Sequence, residues 1–289
     1  MSVERTRTCM ADLKIVSSGL DWLTTTATDK MTARLLLREA EKIQREEAAR
    51  GFFVKPWRQS GYAGFHCGRI QHGERYDSAI VRLTSDLADA EWFRVYQISE
   101  HATRLDVQIT FRPSIGVNPY IHRVKRQLNR HFRNFKRRPL LRTITASDGG
   151  LTLYLGARQS AVFFRCYNKE VESGEADYEG CCRMELELKD CAVQPAMEFL
   201  FRELPSSKFA CGLIGSFAKE RGISGLMFAE NPPSLYEGQS AATDVMKACK
   251  WLKTQVQPTV LNLIQHGELE SVLTNLGLSE FVMPLSRRN

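Results

Sequence analysis

The sequence contains neither a long apolar segment nor the cysteine and histidine spacings of a zinc site. No apolar run among the 289 residues reaches the roughly 18 residues that a membrane span requires. Residues 1–16 carry charge but no apolar core, so we expect no secretion signal. The eight cysteines include no CxxC pair, and the six histidines form neither an H-x-H nor an HExxH pattern. We therefore expect a cytoplasmic protein with reduced thiols and no membrane partner.

Acidic residues are missing from a long central window of the chain. Between Asp106 and Asp148 there is no Asp or Glu, and ten Lys and Arg residues fall there. Two of the ten are Arg112 and Arg142. The other eight, here called the basic stripe, are Arg123, Lys125, Arg126, Arg130, Arg133, Lys136, Arg137 and Arg138. Such a stripe is typical of a surface that binds a polyanion such as DNA, although a solvated helix surface is the alternative.

Hydrophobic periodicity predicts a mixed α+β fold. Residues 103–111 alternate strictly between apolar and polar side chains, as in a strand with one buried face. Further strands are predicted over 18–27, 61–70, 77–85, 151–156, 162–169 and 183–189, with a turn at 71–76. Helices are predicted from a cap at Thr28 or Asp29 to Gly51, over 86–98, over 120–137 and from about 194 onwards. We expect an antiparallel sheet with helices covering one face, followed by an α-helical C-terminal region.

Three of these strands, predicted over 103–111, 162–169 and 183–189, carry charged residues on one side. The first offers Asp106 and the last offers Glu185 and Glu187, while Tyr167 on the strand between them has Arg165 and Lys169 on its own side. If the three strands share a sheet with these faces aligned, the carboxylates converge beside the tyrosine. Carboxylate oxygens suit Mg²⁺ or Mn²⁺, and a tyrosine whose phenolate is favoured by neighbouring cations can attack a phosphodiester.

Other interpretations of these strands remain open at this point. Alternating Arg, Glu and Lys residues are common on a solvated sheet face that has no function. Tyr154, on the neighbouring strand, is an alternative nucleophile. A metal-dependent nuclease that uses water, or a DNA-binding regulator without catalysis, would also account for parts of the pattern.

The order of several segments resembles a known family. LDWLTTT (20–26), GYAGF (61–65), TRLDVQITF (103–111), the R-x-Y-x-K strand around Tyr167 and the R-x-E-x-E-x-K strand at 183–189 are similar to those of Rep_trans proteins. These are rolling-circle replication initiators of small plasmids and some phages, together with related relaxases of integrative conjugative elements. The resemblance covers about residues 13–190.

This resemblance implies a nickase that binds double-stranded and single-stranded origin DNA. Tyr167 would attack the scissile phosphate, leaving a 5′-phosphotyrosine and a free 3′-OH. By position, Asp106, Glu185 and Glu187 would bind Mg²⁺ or Mn²⁺, and Arg165 and Lys169 would contact phosphate. The family also implies a homodimer that works with a host helicase and polymerase.

These sequence predictions divide the chain into two regions. Residues 1–192 would form the nicking domain, and residues 193–289 would serve origin recognition or dimerisation. Phe163, Phe164 and Tyr120 are available as aromatic side chains for stacking on unpaired bases.

Overall fold

Ten strands form one sheet in the computed structural model, which describes residues 13–99, 101–202, 205–224 and Gly267. Their order across the sheet is β2-β3-β4-β5-β1-β6-β10-β9-β8-β7, and every neighbouring pair is antiparallel. The strands are β1 Leu13–Ala27, β2 Val54–Gln59, β3 Tyr62–Cys67, β4 Ile70–Arg75, β5 Ser78–Thr84, β6 Ala102–Pro113, β7 Leu141–Thr145, β8 Leu151–Leu155, β9 Val162–Asn168 and β10 Cys182–Lys189. The longest strands, β1 and β6, therefore lie side by side at the centre.

The first helix begins and ends where the sequence provides caps. The first helix starts after Asp29, whose side chain accepts a hydrogen bond from the Thr32 backbone N–H at 2.9 Å, and it stops before Gly51 at a φ of 98°. The helices are α1 Lys30–Ala49, α2 Ser85–Ser99, α3 Val117–His131, α4 Lys169–Ser173, α5 Val193–Arg202 and α6 Ser206–Glu220.

One face of the sheet is covered by helices. The Tyr120 ring of α3 meets Phe111 of β6 edge-on with centroids 5.2 Å apart, and Phe217 of α6 stacks on Phe164 of β9 at 5.1 Å. At the other end of the sheet, Gln44 of α1 hydrogen-bonds His72 of β4. The predicted α+β fold, with an antiparallel sheet and helices on one face, is confirmed.

Three strands, β2, β4 and β7, were not predicted from the sequence. β4 occupies the segment predicted as a turn, because His72 and Gly73 interrupt the apolar pattern although both are buried there. β2 and β7 are the two edge strands of the sheet. Edge strands have little buried surface and tolerate residues such as Pro56, so they lack a clear apolar alternation.

The chain divides into two units, Met1–Leu235 and Tyr236–Asn289, and all strands and helices named above belong to the first. α5 and α6 pack on β6 and β1 within that unit. The predicted boundary at residue 192 stays a prediction, and the helical pattern predicted over 239–267 lies outside the described residues apart from Gly267.

Candidate active site

Three strands bring their charged rows to the face of the sheet opposite α3 and α6, here called the uncovered face. Of the described residues, the segment after β9 lies over its Arg183 end, where Tyr178 meets Arg183. These rows hold Arg104, Asp106 and Gln108 on β6, Arg183, Glu185, Glu187 and Lys189 on β10, and Arg165 and Tyr167 on β9. β10 lies between the other two, with Glu187 opposite Asp106 and Glu185 opposite Arg165. Directly opposed residues point to the same side of a sheet, so the three rows share one face.

Tyr167 is held by a hydrogen bond on this face. Its hydroxyl donates to Oε1 of Glu185 at 2.5 Å, and only 7% of the residue is exposed. The side chain lies outside the hydrophobic core that Phe164 and Cys166, its neighbours on β9, help to form. Tyr167 is therefore buried among charged side chains, and its hydroxyl points at a carboxylate.

The pKa of Tyr167 is raised, first by burial and then by the negative charge of Glu185. The nearby Arg183 acts in the opposite direction but is outweighed. The expectation that neighbouring cations favour the phenolate is therefore wrong for the protein without substrate. The phenol keeps its proton, and Glu185 is placed to accept it.

Two arginines separate the three buried carboxylates of the site. Arg104 donates to both oxygens of Asp106, at 2.8 and 2.6 Å, and its Nη2 lies 3.4 Å from Glu187. Arg165 pairs with Glu185 and lies 3.9 Å from Asp106. Burial raises the pKa of both Asp106 and Glu185. Asp106 and Glu185 are thus desolvated, and each depends on a neighbouring arginine for its charge.

The donor chemistry of these carboxylates fits a hard divalent cation, because all the donors are oxygens and the negative charges are buried. Within the described part of the chain, however, no group of three or more His, Cys, Asp or Glu side chains is arranged to hold a metal ion. The guanidinium groups of Arg104 and Arg165 lie between the oxygens. A cation held by Asp106, Glu185 and Glu187 would therefore require these arginines to move.

The predicted phosphate contacts differ in their surroundings. Arg165 lies on the face beside Glu185, as its strand position indicates. Lys169 is instead the first residue of α4, where it pairs with Glu172 at 2.5 Å and lies over the Tyr178 ring. β9 ends one residue earlier, at Asn168, whose side chain caps that helix, so strand alternation does not extend to Lys169.

Tyr154 shares the uncovered face but has different neighbours. It lies opposite Arg165, and its ring stacks on Phe163 with centroids 5.6 Å apart. Tyr167, in contrast, has its hydroxyl bonded to a carboxylate.

The prediction that Phe164 and Tyr120 are available for base stacking is wrong, because both are buried on the helix-covered face.

Sequence reasoning missed Asp21 and Trp22 of β1. Asp21 lies 3.4 Å from Arg183, and Trp22 lies opposite Asp106 with the Arg104 guanidinium 4.3 Å from its ring centroid. The register of β1 against β6 shifts between Leu20 and Trp22. A bulge of this kind redirects side chains, so simple alternation along β1 gives the wrong side for them.

Half of the basic stripe lies on α3. This half is Arg123, Lys125, Arg126 and Arg130, and the other four residues follow the helix. The apolar side of α3, with Ile121, Val124 and Leu128, packs toward the covered face of the sheet, so the cations of this helix point away from the sheet. None of the eight stripe residues forms an ion pair with another residue in the described ranges. The stripe residues of α3 and Tyr167 therefore lie on opposite sides of the sheet.

Comparison with known proteins identifies the family. The model of the Rep_trans family, described as replication initiation factor, matches residues 102–276. The chain belongs to this family. It is also similar in structure to a rolling circle replication initiator protein from Geobacillus stearothermophilus, with 18% identity, a TM-score of 0.48 and coverage of 72% of this chain and 84% of that one. No curated protein matches the sequence.

The part matched by the replication initiation factor model begins at β6. It includes every candidate catalytic and metal-binding residue, namely Asp106, Arg165, Tyr167, Lys169, Glu185 and Glu187, together with the whole basic stripe. β1 to β5 lie before it. Among the described residues, no helix is long and apolar enough to cross a membrane.

Proposed function

We propose that this replication initiation factor starts rolling-circle replication by nicking one strand of its origin with Tyr167. The observation that carries the proposal is the hydrogen bond from the Tyr167 hydroxyl to Glu185 on the uncovered face. A phenol that already donates to a buried carboxylate is oriented for proton transfer during attack. Tyr154, whose ring is stacked on Phe163, has no comparable arrangement.

Groups of this site would supply both the nucleophile and the proton acceptor of the nicking reaction. The Tyr167 oxygen attacks phosphorus and its proton passes to Glu185, while the bond from phosphorus to the 3′ oxygen breaks. The leaving oxygen takes a proton from water, which yields a 3′-OH and a 5′-phosphotyrosine. Attack by a 3′-OH on that phosphotyrosine reverses the step and reseals the strand. A helicase and a polymerase of the host would use the released 3′-OH.

Cations on the face would stabilise the transition state. Arg165 and Arg183 lie beside Glu185 and Tyr167, where negative charge develops on the phosphate oxygens. Lys169 is the further phosphate contact that the family implies. Asp106, Glu187 and Oε2 of Glu185, the oxygen that Arg165 contacts, would hold Mg²⁺ or Mn²⁺ after the arginines move, and the ion would supply positive charge at a phosphoryl oxygen. Oε1 of Glu185 would remain the proton acceptor for Tyr167.

Other regions would bind the duplex and a second subunit. The basic stripe is free of ion pairs with described residues, and it would bind duplex origin DNA through its phosphates. Residues 1–192 would form the nicking domain. Residues 193–289 would contribute to origin recognition or to a homodimer.

Covalent capture on denaturing gels tests the proposal. The full chain is incubated with Mn²⁺ and supercoiled or single-stranded DNA of the element that carries its gene. We expect a protein–DNA adduct with the unmodified chain and with Tyr154→Phe, and none with Tyr167→Phe. An adduct that persists in Tyr167→Phe would refute the assignment. Cleavage without an adduct would indicate a nuclease that uses water, and binding without cleavage would indicate a regulator.

A further inference from the structure

The uncovered face continues well beyond the candidate active site. On the side of β6 away from Tyr167, three arginines lie over three aromatic rings. The pairs and their distances from guanidinium carbon to ring centroid are Arg104 with Trp22 at 4.3 Å, Arg82 with Trp57 at 5.0 Å and Arg75 with Tyr62 at 5.4 Å. We call these six residues the arginine–aromatic surface. It extends from β6 across β1 to β2, and all of its residues except Arg104 lie before the region matched by the family model.

The cross-strand register joins this surface to the candidate active site. Arg104 lies opposite Thr24, which lies opposite Arg82, so the two arginines follow one another in a single row. Arg104 also holds Asp106. Tyr167 lies opposite Arg183, which lies opposite Thr110, farther along β6 than Arg104. A ligand that crosses the face diagonally from Tyr167 past Asp106 therefore reaches Arg104 and Arg82 without leaving the face.

Apart from Arg104, which pairs with Asp106 and Glu187, the surface carries positive charge without neighbouring carboxylates on the same face of β2 to β5. Among β2 to β5 the only acidic residue is Glu74, and strand alternation places it on the other face, beside Ala79. Arg82 is an arginine without a carboxylate partner among the described residues. It donates instead to the side chains of Gln59 and Gln71. Burial and the neighbouring charge of Arg104 lower its pKa. An arginine held without a carboxylate is suited to an anion from outside.

Two glycines leave room for the Trp57 ring. Gly64 lies opposite Trp57, and Gly73 lies opposite Gly64. A Cβ on Gly73 would come within 3.2 Å of the Trp57 ring, so the ring extends over β4 where side chains are absent. The tryptophan is thus laid across the sheet, and it is only partly buried.

We infer that the arginine–aromatic surface binds the single-stranded DNA that flanks the scissile phosphate. Aromatic rings and guanidinium planes stack on unpaired bases, and unpaired arginines attract phosphates. Duplex DNA keeps its bases inside the helix and would not use the rings. The inference rests on the proposed function for the identity of the substrate, but the binding can be measured without any cleavage.

Equilibrium binding to a labelled oligothymidylate of about 12 nucleotides tests the inference, since stacking tolerates any base. The full chain carries Tyr167→Phe to prevent cleavage, and fluorescence anisotropy reports binding. We expect Trp57→Leu to weaken binding by about tenfold, as for the loss of one stacked base. Arg82→Gln should weaken binding and reduce the salt dependence by about 0.7 in the slope of log K against log salt.

Arg58→Gln is the matched control, because Arg58 follows Trp57 on β2 and points to the opposite face. We expect it to change affinity less than twofold. Trp57→Phe keeps an aromatic ring and should retain most of the affinity, which separates loss of stacking from misfolding. Thermal melts equal to that of the parent chain confirm that each variant is folded.

Three results would overturn the inference. These are unchanged affinity in both Trp57→Leu and Arg82→Gln, an equal loss in Arg58→Gln, and an equal loss for a blunt duplex of the same length. The proposed function fails separately, through an adduct that survives Tyr167→Phe. In that case weaker oligonucleotide binding by Trp57→Leu and Arg82→Gln would still support the surface.

Discussion

The buried side chain of Glu185 makes two contacts. It accepts the hydroxyl proton of Tyr167 in a hydrogen bond and pairs with Arg165. Burial penalises its charge, whereas Arg165 stabilises that charge, and the net result is a raised pKa. A carboxylate that binds a proton more readily than usual is a better acceptor for the proton of an attacking phenol.

The pH dependence of adduct formation follows from this carboxylate. Glu185 accepts a proton only when it is ionised, so the rate should fall as the pH decreases through its pKa. Because that pKa is raised, the fall should occur above the value of about 4.3 for an ordinary glutamate. Initial rates of adduct formation from about pH 5 to about pH 8 measure the profile.

Glu185→Gln is the matching variant for this profile. It keeps the shape of the side chain but cannot take the proton, so the rate should fall by about 10²-fold or more. The acid limb of the profile should also disappear. An acid limb that is unchanged in this variant would assign the titration to another group, such as Asp106, whose pKa is also raised by burial.

At the level of elements, the glycines of β3 and β4 determine how closely these strands approach. A Cβ on Gly64 would lie 2.0 Å from the backbone oxygen of His72 on β4. Such a distance is far inside van der Waals contact, so the two strands would have to separate. The half of the sheet that carries the arginine–aromatic surface therefore depends on the absence of one side chain.

We expect Gly64→Ala to destabilise the protein by about 1–3 kcal/mol, as overpacking does. Urea unfolding followed by circular dichroism measures the change. Ala63→Ser is the control, because it also adds one heavy atom to β3 but at an exposed position. Equal stabilities of the two variants would show that β4 can move aside without cost.

The elements differ in how well the sequence predicts them. β6, β9 and β10 are predicted because one face of each is buried against helices, which makes the alternation visible. β2 and β7 are edge strands with mostly exposed residues, so no such alternation exists. The α1 cap at Asp29 is predicted correctly because N-capping is a local interaction.

The candidate site is predictable only in part. Alternation is sufficient to group Asp106, Glu185 and Tyr167 once their strands are neighbours. It cannot reveal the bulge that brings Trp22 beside Asp106, since the register shift depends on the pairing of β1 with β6. Nor can it give the raised pKa of Tyr167, which results from burial in three dimensions.

At the scale of the whole sheet, the two surfaces proposed to bind DNA face in opposite directions. The stripe residues of α3 point away from the sheet, whereas Tyr167 and the arginine–aromatic surface occupy the uncovered face. This arrangement would separate binding of the duplex from chemistry on a single strand. An origin would have to pass around an edge of the sheet to engage both surfaces at once.

Replacing Lys125, Arg126 and Arg130 of α3 with glutamine should weaken duplex binding and reduce its salt slope by up to about 0.9 per residue. Adduct formation on a saturating short single strand should keep its rate, because these cations are on the far side of the sheet. Gel-shift titrations at several salt concentrations and single-turnover nicking measure the two effects. Replacing Arg34, Arg38 and Arg45 of α1 in the same way removes equal charge and should leave duplex affinity nearly unchanged. An equal loss in both triple variants would show that only total charge matters.

The continuous ten-stranded sheet also sets a length scale. Seven strand spacings of about 4.8 Å separate β9, which carries Tyr167, from the edge strand β2, or about 34 Å. A single strand that remains stacked at about 3.4 Å per nucleotide would cross that distance in about ten nucleotides. Affinity should therefore rise with oligonucleotide length on one side of the nick and level off once the strand reaches β2. The sheet would act as a ruler for the unpaired region that the origin must provide.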